Sequence, residues 1–120
     1  MTAAIGTGIA GSEGRLAGMI VAFSVAPAVV DNDSGEMADA VAEAVRVVRE
    51  SGLPNETNAM FTLVEGEWDE VFGTIKKATE AVRAVSPRTS LVIKADIREG
   101  VTNQLTDNVD AVNRRLAKED

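Results

Sequence analysis

The sequence contains no cysteine and no histidine. Without cysteine there is no disulfide framework, no thiolate zinc site and no thiol nucleophile. Without histidine, imidazole metal sites, imidazole acid–base catalysis and His-based triads are excluded together. Carboxylates, carbonyls and water could still hold a metal, but no Asp-x-Asp-x-Asp-Gly loop arranges them. No metal and no cofactor are expected. Basic residues are scarce as well: 12 Lys and Arg against 19 Asp and Glu leave a net charge of −7. That balance argues against nucleic acid as a partner, because phosphate binding needs a basic face. Lys76–Lys77 and Arg114–Arg115 are the basic pairs, and both fall on helical patterns as solvated faces. No apolar run approaches a membrane span; the longest, Met19–Val25, is strand-sized. No signal peptide is evident, so a soluble, cytoplasmic chain is expected.

What is present suffices for one core. The chain has 120 residues, 45% of them hydrophobic, and a chain of this size buries roughly two-thirds of its unfolded surface without staples. Residues 1–18 are Gly- and Ala-rich with no period and read as a flexible extension, leaving residues 19–120 as a single domain. Gly6-Thr-Gly8-Ile-Ala-Gly11 matches the dinucleotide pattern by letter only. Too few residues precede Gly6 to make a strand, and Gly14 and Gly18 would break the helix that the pattern requires.

Ile20–Ala26 alternates as a strand ended by Pro27, with Val21, Phe23 and Val25 on one face and Ala22, Ser24 and Ala26 on the other. Ser34 is the expected N-cap of a helix whose apolar stripe is Met37, Val41, Ala44, Val45 and Val48, closed by Ser51-Gly52. Leu53–Val64 reads as two short strands turning near Ala59–Phe61. Glu65-Gly-Glu-Trp-Asp-Glu begins a second helix, with Glu67, Asp69 and Glu70 at its positive end and Val71, Phe72, Ile75, Ala78, Val82 and Val85 as its buried stripe. Ser86-Pro87 stops it, and Leu91–Ile97 forms the last strand, Leu91, Ile93, Ala95 and Ile97 sharing a face opposite Val92, Lys94 and Asp96. Leu105, Val109, Val112 and Leu116 mark a final amphipathic helix. The order β-α-β-β-α-β plus a helix is an α+β, ferredoxin-like plan with both long helices on one face of an antiparallel sheet. The other face, with Ala22, Ser24, Met60, Val92, Lys94 and Asp96, is only half polar, which suits burial against another subunit.

The run Asn58-Ala-Met-Phe-Thr-Leu-Val-Glu-Gly-Glu-Trp-Asp-Glu-Val is the most distinctive in the chain. Together with Ile20-Val-Ala-Phe-Ser-Val-Ala-Pro, Ala44-Val-Arg-Val-Val-Arg-Glu-Ser-Gly-Leu and Lys94-Ala-Asp-Ile-Arg, in that order along residues 19 to 117, it resembles the small thiamine-binding protein family. The resemblance implies a ferredoxin-like fold, dimers that stack as tetramers, and binding of thiamine or its hydroxymethylpyrimidine half. It implies no reaction.

Ser24, Asn58, Met60, Thr62, Glu65 and Lys94 are the candidate ligand-binding residues. Glu65 matches the family's Glu-Gly block, and a carboxylate suits an aminopyrimidine, which offers an amine beside ring nitrogens; it could equally serve a helix N-terminus. Asn58 can donate and accept at the same edge, or satisfy its own turn. Met60 offers a polarizable contact for a flat ring, or packs in a core or subunit contact. Thr62 fits the motif but could pair across the hairpin. Ser24 and Lys94 share the open face, where Lys94 reads as a solvated or intersubunit ion pair unless the ligand is phosphorylated. Trp68 reads as a packing staple. At position 61 many relatives of this kind carry a small residue, whereas this chain has Phe61, which could stack on a ring or fill the pocket. Catalysis would fall to Glu65, Asp96 and Lys94, which nothing in the sequence brings together, so non-catalytic binding by a homo-oligomer is expected. The alternative is a regulatory metabolite-sensing or protein-interaction domain.

Overall fold

In a computed structural model, residues 18–28, 36–100 and 103–119 are described here. Seven elements follow in order: β1 (Met19–Pro27), α1 (Glu36–Glu50), β2 (Asn55–Thr57), β3 (Thr62–Gly66), α2 (Trp68–Arg83), β4 (Thr89–Ile97) and α3 (Gln104–Glu119). The strands form one antiparallel sheet in the order β2-β3-β1-β4. This is the α+β, ferredoxin-like arrangement. Of the extension expected over residues 1–18, all but Gly18 lies outside the described residues, as does the Ser34 cap.

Alternation along β1 decides how the sheet faces the helices. Met19, Val21 and Phe23 point to the helical side and are at most 2% exposed. Val21 stands opposite Val64 on β3 and Ala95 on β4, so these three adjacent strands present one continuous apolar row. Ala44 and Val48 from α1 and Val71, Ile75, Ala78 and Val82 from α2 close over it to make the core. Each fully buried valine of this set contributes about 1.5–3 kcal/mol relative to exposure. Gly66 is needed where β3 turns toward α2: a side chain there would meet Leu53 and Val71 at 3.2 and 3.3 Å. Gly52 ends α1 in the left-handed conformation, φ 81°, which a side chain would strain. Glu67 caps α2, its carboxylate accepting from the Asp69 amide at 3.2 Å.

Some expected burial is absent, for identifiable reasons. Val85 is 47% exposed, because α2 ends at Arg83 and the residue falls in the following turn. Val41 of the α1 stripe is exposed and instead borders a cleft. Trp68 stacks against Phe72 with centroids 4.8 Å apart, yet more than half of it faces solvent. On β4, Leu91, Ile93 and Ile97 occupy the helical side as expected from alternation, but the strand is exposed along nearly its whole length. It is an edge strand, and the helices are centred over β1 and β3.

Candidate ligand-binding cleft

A concave site lies where the β2–β3 loop approaches α1. Phe23, Ser24 and Val25 of β1, Val41, Ala44 and Val45 of α1, and the stretch Thr57–Thr62 line a cleft of about 200 Å³. The loop is shaped by Asn58. Its side-chain carbonyl accepts hydrogen bonds from the Met60 amide at 2.8 Å and the Phe61 amide at 2.9 Å. Its own amide donates to the Phe61 carbonyl at 2.9 Å. Asn and Asp favour such turns because the side chain mimics a backbone acceptor two residues back. The Asn58 side-chain NH2 is left without a partner among the described residues. Thr57 and Thr62 face each other across the hairpin, hydroxyl to hydroxyl at 3.5 Å. Phe61 is half-buried at the cleft wall, and Met60 is 73% exposed at its rim.

Among the described residues, none lining the cleft carries a charge. Its polar groups are hydroxyls and one amide, set among aromatic and aliphatic walls. Such a surface suits a neutral, flat, hydrogen-bonding ring. Its volume is below the roughly 300–1,000 Å³ usual for drug-sized ligands, so it matches one ring better than two.

The structure therefore divides the six candidates. Ser24, Asn58, Met60 and Thr62 come together in the cleft; Glu65 and Lys94 do not line it. Glu65 is 2% exposed. One carboxylate oxygen accepts from the Gln104 amide at 2.8 Å and the other from the Leu105 amide at 3.1 Å. It thus caps the N-terminus of α3 from 39 residues away, where two free N–H groups and the helix dipole favour negative charge. The chain enters this helix through Asn103 in the left-handed region, φ 59°. Gln104 is buried beside it, and neither its side-chain oxygen nor its nitrogen has a partner among the described residues. Lys94 stands opposite Ala22 on the open face, exposed and without a salt bridge among the described residues.

Sequence reasoning missed Val41 and Val45 as cleft residues, having placed both in a core stripe. The incomplete apolar stripe of α1 shows only once α1 is seen to overhang the loop. It also missed Gln104, which no local pattern marks.

Comparison with known proteins places these features in context. The sequence profile of a family described as thiamine-binding protein matches residues 21–113. A UPF0045 protein of Mycobacterium tuberculosis is 52% identical over 101 residues, covering 83% of this chain and 96% of its own. A UPF0045 protein of Synechocystis is 33% identical over 95 residues, 78% of this chain and 76% of its own. Among solved structures, a hypothetical protein of Methanocaldococcus jannascii superposes with a TM-score of 0.70 at 27% identity, over 82% of this chain and 97% of the other. A "putative thiamine biosynthesis/salvage protein" of Thermotoga maritima superposes at 0.60 with 25% identity, over 73% and 92%.

Proposed function

The chain belongs to the thiamine-binding protein family, and from that premise we propose that it binds the hydroxymethylpyrimidine part of thiamine in the cleft beside Asn58, without carrying out a reaction. The observation that supports this reading most is the uncharged, single-ring-sized cleft with one unused amide donor. A thiazolium or a diphosphate would call for charged partners, and the described lining of the cleft offers none. In the proposed pose the pyrimidine edge meets Asn58 and Thr62, with Phe61 and Met60 against the ring and Ser24 at the border of the cleft between Phe23 and Val25. Phe61 then stacks on the ring. Glu65 serves the ligand only indirectly, through the helix it caps, and Lys94 takes no part. The working unit we propose is residues 19–120, acting in the cytoplasm as a homo-oligomer, a dimer of dimers.

Calorimetric titration tests the proposal. Saturable heat is expected for hydroxymethylpyrimidine and for thiamine, and none for the isolated thiazole half. Absence of heat with both pyrimidine-bearing compounds, at high micromolar concentrations of folded protein, overturns it. Asn58→Asp gives the residue-level check. Aspartate keeps the acceptor that closes the loop but loses the NH2 donor, so the loop survives while affinity falls about tenfold or more, the loss of one hydrogen bond.

A second reading, a metabolite-sensing domain that docks on another protein, is favoured by the exposed stripe Val109, Val112 and Leu116 on α3. Under that reading a pull-down recovers a stable enzyme or transporter.

A further inference from the structure

The lining of the cleft is graded in exposure, and the grading shows which way it opens. Phe23, Ala44 and Thr62 are at most 9% exposed and make its floor. Among the described residues, the exposed lining consists of Thr57–Met60 of the β2–β3 loop on one side and Val41 of α1 on the other. The mouth therefore has two lips. One is a loop with polar groups, and the other is a single valine.

Val41 is 38% exposed and stands outside the buried core. A β-branched residue on an exposed stretch of helix costs a little χ1 freedom and gains no packing in return. The fold alone thus gives little reason for valine at this position, whereas the cleft it borders gives one. At about 200 Å³ the cleft is filled by one ring, so any larger group attached to that ring passes between the lips and comes to lie against Val41. No cation among the described residues reaches this lip. Neither basic residue of α1 lines the cleft, and Arg46 is held by Glu43 at 3.2 Å. A phosphate emerging there would lose water against a methyl surface with no charged partner to replace it, in a chain whose net charge is already −7. A hydroxymethyl group is small and uncharged, and it keeps its access to water at the mouth.

We infer that Val41 is the specificity residue of the mouth: its apolar lip admits the uncharged pyrimidine alcohol and turns away the phosphate ester of the same ring. The inference rests on the functional reading above and narrows it to an unphosphorylated ligand. Selection of this kind comes from an unfavourable contact built against the competitor, without any added contact to the preferred ligand.

Side-by-side calorimetric titration of the full-length protein with hydroxymethylpyrimidine and with its phosphate ester is the test. The alcohol is expected to bind at least about tenfold more tightly than the ester. Val41→Lys sets an ammonium on the lip. It should raise affinity for the ester about tenfold or more and hold affinity for the alcohol within about threefold. Val41→Ala keeps the lip apolar but makes it smaller, and should leave the ratio of the two affinities within about threefold of the native ratio. Both variants keep the core, because Val41 lies outside it. Native protein that binds the ester as tightly as the alcohol overturns the inference and leaves pyrimidine binding standing. So does a native ratio in Val41→Lys, or a shift toward the ester in Val41→Ala. Heat from neither compound overturns the functional reading, and the inference falls with it.

Discussion

β1 and β4 lie side by side for nine residues and carry similar alternations, yet one is closed on its helical side and the other lies open. Met19, Val21 and Phe23 are almost fully buried, while Ile93, opposite Phe23, is 39% exposed. The difference is one of place in the sheet. β1 has a neighbour on each side and two helices above it; β4 has a neighbour on one side and little above. The same contrast divides the helices. α2 buries its stripe in the core and α1 buries Ala44 and Val48 but leaves Val41 exposed, whereas α3 leaves Val109, Val112 and Leu116 in solvent and is anchored to the sheet through Glu65. Alternation thus states which way a residue points, and neighbours decide whether that direction is covered.

The largest effect that would break this contrast is expected at Phe23. Phe23→Ala should lower stability by about 3–5 kcal/mol, the usual loss for a buried aromatic, read from urea unfolding. A loss below about 1 kcal/mol would mean that the helical side of β1 is not the core. Glu65→Ala comes next, leaving two helix-terminal N–H groups without their acceptor at an expected loss of about 1–3 kcal/mol. Hydrogen exchange should quicken in the first turn of α3 with α2 unchanged. The half-buried cap Glu67 offers the control, and Glu67→Ala should affect α2 more mildly. Val112→Ala is expected to stay within about 0.5 kcal/mol for the isolated protomer; a larger loss would reveal a surface that covers α3.

Much of this arrangement was legible before the structure. Period-2 alternation in Ile20–Ala26 and Leu91–Ile97, and the helical stripes through Val71, Ile75, Ala78 and Val82, are strong local signals, and every expected element is present among the described residues. What stayed hidden depended on distance along the chain. Nothing near Glu65 indicates that its carboxylate meets amides 39 and 40 residues later; locally it reads as the acidic start of α2. Val85 continued a helical spacing past the point where the backbone had already turned. The cleft was half visible. Asn58, Met60 and Thr62 share one short loop, but Thr62 stands opposite Phe23, so parity sets Ser24 on the other face and it borders the cleft only between Phe23 and Val25; the contribution of α1 needed the packing angle of that helix. Lys94 shared parity with Ser24 and not its surroundings, since it sits one strand further out.

The small ring of hydrogen bonds around Asn58 bears on how fast the site can work. Because the loop is closed by its own side chain, the mouth of the cleft has its shape before any guest arrives. Recognition then needs no segment to fold over the guest, and little ordering entropy opposes association. Entry and exit are gated by diffusion and fit rather than by a slow opening step. A guest in a site of that kind would exchange readily, its residence set by fit alone.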